Sequence, residues 1–123
     1  MQEQHTDTLD QINRLCAALD DKKASDVRIL DLTGKSDITN YFVVASGTSE
    51  PHLKALAGHL DRTCKDIGID VVAIDNQPSS GWLVLDAFDF MVHLFLPSQR
   101  ETYQLEQLWK DAPEVDRGLL LTA

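Results

Sequence analysis

The sequence predicts an α/β (α+β) fold in which helices flank a single mixed β-sheet. Hydrophobic periodicities follow the order helix, strand, strand, helix, strand, strand, strand, helix, which is typical of a sheet covered by helices. Only Ala87 and Phe88 separate the last two apolar strands, so these strands must form an antiparallel hairpin. The 123 residues, 43% of them hydrophobic, suffice for one core. We assign residues 1–112 to a single domain and residues 113–123 to a C-terminal tail.

Residues 9–19 are predicted to form the first helix. Leucine, isoleucine and cysteine recur there at helical spacing, and Thr6 or Thr8 is placed to cap the helix. The polar stretch DDKK (20–23) then leads the chain out into solvent.

Two strands are predicted to follow. The stretch DVRILDL (26–32) alternates, which puts Ile29 and Leu30 on opposite faces of a strand. The stretch ITNYFVVASG (38–47) has a continuous apolar centre, which indicates burial on both faces.

The second helix has both start and stop signals. Thr48 or Ser49 can cap it, and Pro51 suits its first turn. Apolar residues form one stripe over residues 53–67, and Gly68 supplies the stop.

The remainder of the chain predicts three strands and a last helix. The strands are IDVVAI (69–74), WLVLD (82–86) and DFMVHLFL (89–96). Residues 98–101 fit a capping box that opens a helix to about Trp109.

The charge of the chain restricts its partners. The 20 acidic and 11 basic side chains give a formal charge of -9, so the phosphates of free nucleic acid would repel most of the surface. A basic protein would be attracted instead. Because acidity also keeps proteins soluble, charge alone leaves both interpretations open.

The cysteines and the N-terminal segment indicate a reducing compartment. Cys16 and Cys64 are isolated, with no metal-binding or disulfide spacing, and are expected to be buried thiols. The polar start MQEQHTDTLD is not a secretory signal, and no apolar run approaches membrane-spanning length. We therefore expect a cytoplasmic protein with no membrane partner.

The turn ASGTSEPH (45–52) is the strongest candidate for catalysis. A small-residue turn before a helix can hold a phosphate, but it can also be simply a tight turn with a cap, which this sequence favours. Phosphate-loop glycine and lysine motifs are absent, and nucleotidyl transfer would need carboxylates that converge on metal ions. We assign no catalytic residue, metal ligand or cofactor. The alternative of a small nucleotide-binding or nucleotidyl-transfer enzyme using Gly47–Ser49 stays open.

The aromatic residues indicate a surface for a partner. Trp82 begins a strand beside a polar loop, and Tyr103 lies off the apolar stripe of the last helix. With Asp86, Arg100 and Glu101 at their rim, they have the composition of a binding hot spot. The alternative is a half-buried Trp82 that covers the end of the sheet.

Histidines give no catalytic pattern. His52 and His59 share a helix face but lack metal-ligand spacing. His93 alternates with Met91 and Phe95 in a strand, where a lone histidine is most often a hydrogen-bonded structural residue.

Two stretches carry a family resemblance. GKSDITNYFVVASGTS (34–49), and GWLVLDAFDFMVHLFLP (81–97) followed by RETYQLEQLW (100–109), closely resemble the ribosomal silencing factor (RsfS, or Iojap-related) family. The match covers nearly all of residues 8–112. It implies a nucleotidyltransferase-like fold that has lost its catalytic carboxylates. Phe88 departs from the pattern, because many relatives have glycine there.

The resemblance also implies a function. Members of the family bind large-subunit ribosomal protein number fourteen, block joining of the small and large subunits, and lower translation and ribosome biogenesis when nutrients are scarce. We also expect that the protein can form a homodimer when it is not bound to the ribosome. The other rival is an adaptor for a different basic protein.

Six positions carry over as partner-binding residues. Two are the partner-facing aromatics and four are the polar positions around them: Trp82 and Tyr103, then Asp86, Asp89, His93 and Arg100. We therefore place Trp82, His93 and Tyr103 on a face. The residues expected in the core of this region are Leu83, Leu85, Phe90, Val92, Leu94 and Leu108.

Overall fold

The computed structural model describes residues 2–34, 39–75, 81–87, 89–103 and 112–115, without the side chains of residues 2–7, 75, 102 and 103. The helices and strands of these residues follow the predicted order. They are α1 (Gln2–Asp21), β1 (Ser25–Asp31), β2 (Tyr41–Ser46), α2 (Glu50–Asp66), β3 (Ala73–Asp75), β4 (Trp82–Asp86), β5 (Phe90–Phe95) and α3 (Pro97–Tyr103). Within this part of the chain, no helix is long and apolar enough to cross a membrane.

The five strands form one mixed sheet in the order β1-β2-β5-β4-β3, which confirms the predicted fold class. The two central strands, β2 and β5, run parallel, with Val43 opposite Val92. The other three pairings are antiparallel. The predicted hairpin joins β4 to β5, and the Ala87 N–H donates to the Phe90 carbonyl at its turn (3.0 Å).

The main core lies between one face of the sheet and helices α1 and α2. The helices contribute apolar stripes, and strands β1, β2, β4 and β5 contribute alternate residues. Cys16 and Cys64 are both free and buried there, as predicted. The core prediction is confirmed for Leu83, Leu85, Phe90, Val92 and Leu94, each at most 1% exposed. Leu108 lies outside the described residues.

A second, smaller apolar cluster covers the opposite face of the sheet. It comprises Leu30, Leu32, Phe42, Val44, Phe95 and Ala112, with Trp82 and Met91 packed against it. Ile29 joins the main core and Leu30 this cluster, which confirms the alternation predicted for β1. Every residue of β2 is buried because the strand is central and both of its faces are covered, as its apolar sequence indicated.

The ends of α2 match the predicted signals. Ser49 is the N-cap, and its Oγ accepts from the His52 N–H (3.2 Å). Gly68 adopts φ +81° after the last turn, where the Ile69 N–H donates to the Cys64 carbonyl (2.8 Å). Only glycine adopts this left-handed conformation without steric cost, so Gly68 ends the helix.

The first helix begins earlier than predicted. Helix α1 starts at Gln2, so Thr6 and Thr8 lie inside it and neither is its cap. The apolar stripe that marks the helix begins only at Leu9, but the glutamines and glutamate before it are good helix formers and continue the backbone.

Two later boundaries also differ from the prediction. Strand β3 covers only Ala73–Asp75 instead of residues 69–74, because Ile69 and Val71 precede the pairing with β4 and pack on the core. Helix α3 begins at Pro97, which puts Ser98 inside the first turn, since proline is favoured at the first helical position. The predicted continuation to Trp109 lies outside the described residues.

The residues that we assigned to the start of the tail lie along the outer edge of β1. The Asp31 N–H donates to the Pro113 carbonyl, and the Val115 N–H donates to the Ile29 carbonyl, both at 2.8 Å. Glu114 also pairs with Arg28 (3.3 Å). Residues 113–115 therefore satisfy backbone groups that an edge strand would otherwise leave to solvent.

We predict opposite effects of alanine at two glycines. A Cβ at Gly47 would lie 2.8 Å from Leu53 Cδ2, a buried side chain, so Gly47→Ala should lower the free energy of unfolding by about 1–3 kcal/mol. Gly58, inside α2, has no atom nearer than 3.7 Å to the new Cβ, so Gly58→Ala should raise it by about 0.5–1 kcal/mol. Urea unfolding of both variants measures the difference, and equal shifts would contradict the packing described here.

Candidate functional site

A row of partly exposed side chains follows β4 on the sheet face opposite α1 and α2. Trp82, Val84 and Asp86 alternate with the buried Leu83 and Leu85. We call Trp82, Val84 and Asp86 the β4 row. Alternation along a strand sends these three side chains to one face, so the row is a continuous strip at the surface.

Trp82 is held at the start of this row by two contacts. Its indole stacks on the Phe95 ring, with centroids 5.1 Å apart and an interplanar angle of 27°. Its Nε1–H donates to His93 Nδ1 (3.1 Å). The side chain is half-buried, as its position beside a loop predicted. Trp82 therefore covers part of the second apolar cluster and also reaches the surface.

His93 lies on the same face as Trp82 but is buried, with 4% of its surface exposed. Its ring meets Phe42 edge-on, with centroids 4.5 Å apart. Because Nδ1 accepts from Trp82, the ring proton is on Nε2, which has no hydrogen-bond partner among the described residues. The expected place of His93 on the exposed face is therefore wrong, since its neighbours on the central strands cover it.

Arg100 is also buried rather than at a rim, with 8% of its surface exposed. Its Nη1 donates to the Asp26 carbonyl (2.7 Å) and to Ser46 Oγ (2.9 Å), and its Nη2 lies 3.4 Å from Asp26 Oδ2. Asp26 has φ +51°, at the point where the β1 register shifts. Arg100 thus fastens α3 to a bulged strand end and to the end of β2.

The other predicted site residues lie at separate places. Asp86 ends the β4 row, about 13 Å along the strand from Trp82 at a rise of about 3.3 Å per residue. Asp89 is exposed in the hairpin beyond Asp86. Tyr103 is the last residue of α3, and its side chain lies outside the described residues. The structure brings Trp82 and His93 into contact and aligns Asp86 with them.

Val84 and Met91 were missed as candidates for this surface. Both are partly exposed, and they lie on the same sheet face as Trp82. The signal was present in the period-two alternation of WLVLD and DFMVHLFL, which puts Val84 with Trp82 and Met91 with His93. We assigned Val84 and Met91 neither to the core nor to the surface, because hydrophobicity alone does not tell which face of a sheet is covered.

The Gly47–Ser49 turn uses its polar groups internally. The Thr48 N–H donates to His52 Nδ1 (2.8 Å), and the Gly47 N–H donates to the Phe95 carbonyl (2.9 Å). His52 Nε2 in turn lies 2.8 Å from the Lys22 carbonyl and donates to it. These contacts favour the tight-turn interpretation over phosphate binding, because the N–H groups of Gly47, Thr48 and His52 already have acceptors.

Two groups have strongly shifted pKa values, and burial is the main cause of both shifts. Desolvation lowers the pKa of His93 to about 4. Desolvation and the Asp61 carboxylate raise the pKa of Cys64 to about 11. Both groups are therefore uncharged at neutral pH. The described residues contain no cluster of three or more His, Cys, Asp or Glu side chains able to hold a metal ion.

An open groove of about 490 Å³ lies between α2 and β3, away from the β4 row. Its lining mixes the charged Asp61, Lys65 and Asp70 with the apolar Ile69 and Ile74. None of the six predicted positions lines it.

The sequence matches one family and several of its relatives. Residues 5–122 match the family described as ribosomal silencing factor during starvation. The ribosomal silencing factor RsfS of Halalkalibacterium halodurans is 36% identical over 99 residues, which cover 80% of this chain and 85% of that protein. The mouse mitochondrial assembly of ribosomal large subunit protein 1 is 35% identical over 101 residues, which cover 80% of this chain and 44% of that protein.

Solved structures show the same fold. A crystal structure of a Chromobacterium violaceum protein superposes with a TM-score of 0.78 at 33% identity, covering 81% of this chain and 83% of that one. A Bacillus halodurans structure superposes with a TM-score of 0.74 at 31% identity, covering 85% and 95%.

We predict that acid destabilises the fold through His93. The folded pKa of about 4 lies below the unfolded value of about 6.5, so the unfolded state binds more protons between these pH values. The stabilisation is complete above pH 6.5 and is lost as the pH falls to about 4, by about 3 kcal/mol at most. Urea unfolding from pH 7.5 to 4 should show a steeper loss for the wild type than for His93→Phe. Parallel profiles would contradict the buried, neutral imidazole.

We also predict that Arg100 is required for stability. Arg100→Met keeps much of the apolar length but removes charged hydrogen bonds, so it should lower the free energy of unfolding by about 2–3 kcal/mol. Arg62→Met is the matched control, because Arg62 is exposed on α2 and should change the value by at most about 0.5 kcal/mol. Equal effects in urea unfolding would show that the Arg100 contacts are not structural.

Proposed function

The chain belongs to the ribosomal silencing factor family, and we propose that it represses translation by docking on the large ribosomal subunit. In this proposal, it binds large-subunit ribosomal protein number fourteen in the cytoplasm and sterically blocks joining of the small subunit when nutrients are limiting. No turnover is involved. The observation that carries the proposal is the β4 row, where Trp82 is a partly exposed aromatic residue in a defined orientation.

The large subunit is the favoured partner for two reasons. The name of the mouse relative refers to assembly of the ribosomal large subunit in mitochondria. The net charge of -9 also favours a basic ribosomal protein over exposed rRNA, because phosphates repel an acidic surface. Complementary charge speeds the encounter, whereas buried aromatic contacts supply most of the affinity.

In this proposal, four of the six expected site residues contact the partner and the other two support the surface. Trp82 and Asp86 contact the partner along the β4 row, and Asp89 and Tyr103 extend the contact beyond it. His93 and Arg100 are buried, so in this proposal they support the surface without contacting the partner. His93 lies beneath the β4 row, and Arg100 lies at the end of the sheet.

Co-sedimentation with separated ribosomal subunits tests the proposed partner. The protein should pellet with large subunits and should not pellet with small subunits or with protein-free rRNA at physiological salt. It should also reduce the joining of the two subunits in a gradient. Comparable retention on naked rRNA, or unchanged joining, would overturn the proposal.

Trp82→Ala tests the surface itself. Loss of an interface anchor should weaken large-subunit binding by about thirtyfold or more, equivalent to about 2 kcal/mol. Because Trp82 is half-buried, the same change should lower the free energy of unfolding by less than the 3–5 kcal/mol that is typical of a buried aromatic.

Leu83→Ala is the matched control for this variant. Leu83 is adjacent to Trp82 but 1% exposed and on the opposite face, so its truncation should lower the free energy of unfolding by about 2–5 kcal/mol. The folded Leu83→Ala protein should still bind large subunits. If Trp82→Ala binds as the wild type does, Trp82 is an ordinary structural residue.

A further inference from the structure

The Trp82 indole has its polar edge turned toward the protein. A tryptophan at an interface usually presents its N–H to solvent or to a partner. Here the N–H donates to His93 Nδ1, eleven positions along the chain. The residue directly opposite His93 on β4 is Val84. The hydrogen bond between Trp82 and His93 therefore runs diagonally from β4 to β5, toward the end of the sheet at which β4 begins.

Two contacts together determine the orientation of this ring. Stacking on Phe95 sets the plane of the indole. The hydrogen bond to His93 selects which edge of the indole faces the protein, because only one edge carries a donor. Stacking on Phe95 does not by itself distinguish the edge of the indole that carries the N–H from the opposite edge.

The acceptor is itself rigidly placed. His93 is 4% exposed, and its ring lies edge-on to Phe42 and roughly parallel to Phe95, with an interplanar angle of 12°. It belongs to β5, which is hydrogen-bonded to strands on both sides. The imidazole therefore cannot turn away without disturbing the packed cluster around it.

We propose that His93 is a positioning residue for docking, which holds the Trp82 indole with its N–H inward before the partner arrives. This inference rests on the proposed function of the β4 row. The partner then meets the apolar part of the ring, so the matching group on its surface is an aliphatic or cationic side chain rather than a hydrogen-bond acceptor. Because the ring is already ordered, binding does not have to immobilise it, and the affinity is higher by about three- to tenfold.

The pair His93→Asn and His93→Leu tests the proposal. The two replacements have nearly the same shape, but only asparagine can accept from the Trp82 N–H with an oxygen near the position of Nδ1. Leucine suits the apolar surroundings better, so His93→Leu should be at least as stable to urea as His93→Asn. We nevertheless expect His93→Asn to bind large subunits within about twofold of the wild type and His93→Leu to bind about three- to tenfold more weakly.

Trp82 fluorescence supplies a measurement that is independent of the ribosome. In a Trp109→Phe background, Trp82 is the only tryptophan of the chain. Acrylamide should quench its emission more strongly in His93→Leu than in His93→Asn, because the ring is no longer held in one orientation.

Three outcomes are decisive. If His93→Leu binds large subunits as the wild type does, and acrylamide quenches its Trp82 emission to the same extent, the positioning role is overturned. If affinity follows stability, so that His93→Asn is the weaker binder, His93 is only a packing residue and the proposal fails. If the wild-type protein does not bind large subunits, the proposed function fails, whereas quenching still decides whether His93 orients Trp82.

Discussion

The parallel pairing of β2 with β5 is the constraint on which the rest of the structure depends. Both strands lie inside the sheet, where every residue of β2 and every residue of β5 except Met91 is buried. Val43 and Val92 point to the helices, whereas Val44 and His93 point to the second cluster. The same pairing brings the turn before α2 beside the end of β5, where the Gly47 N–H donates to the Phe95 carbonyl.

The character of the candidate surface follows from this central pairing. Strand β4 lies next to β5 and carries side chains that are covered on one face and partly open on the other. Of its outward residues, Trp82 lies opposite Phe95 and Val84 lies opposite His93, and both of these aromatic groups are buried. Trp82 is ordered by Phe95 and His93 although it reaches solvent, and this combination of exposure and order favours recognition.

The chemistry of these residues suits binding more than reaction. His93 and Cys64 are kept uncharged by burial, and the N–H groups of Gly47 and Thr48 are already paired. A repressor that acts by occlusion needs only a complementary surface and a favourable long-range charge. In the proposed function, the net charge of -9 provides the long-range attraction and the β4 row provides the short-range contact.

Local patterns determined the order of helices and strands, the β4–β5 hairpin, a helix cap at Thr48 or Ser49 and the Gly68 stop, because each depends on residues close together in sequence. Only the tertiary structure decided that β2 pairs with β5 and that His93 and Arg100 are buried. The Arg100 contact joins residues 74 positions apart, and no local periodicity encodes such a contact. The family resemblance assigned both residues to the partner-binding surface, but distant strands supplied the acceptors and the aromatic cover that make their burial favourable.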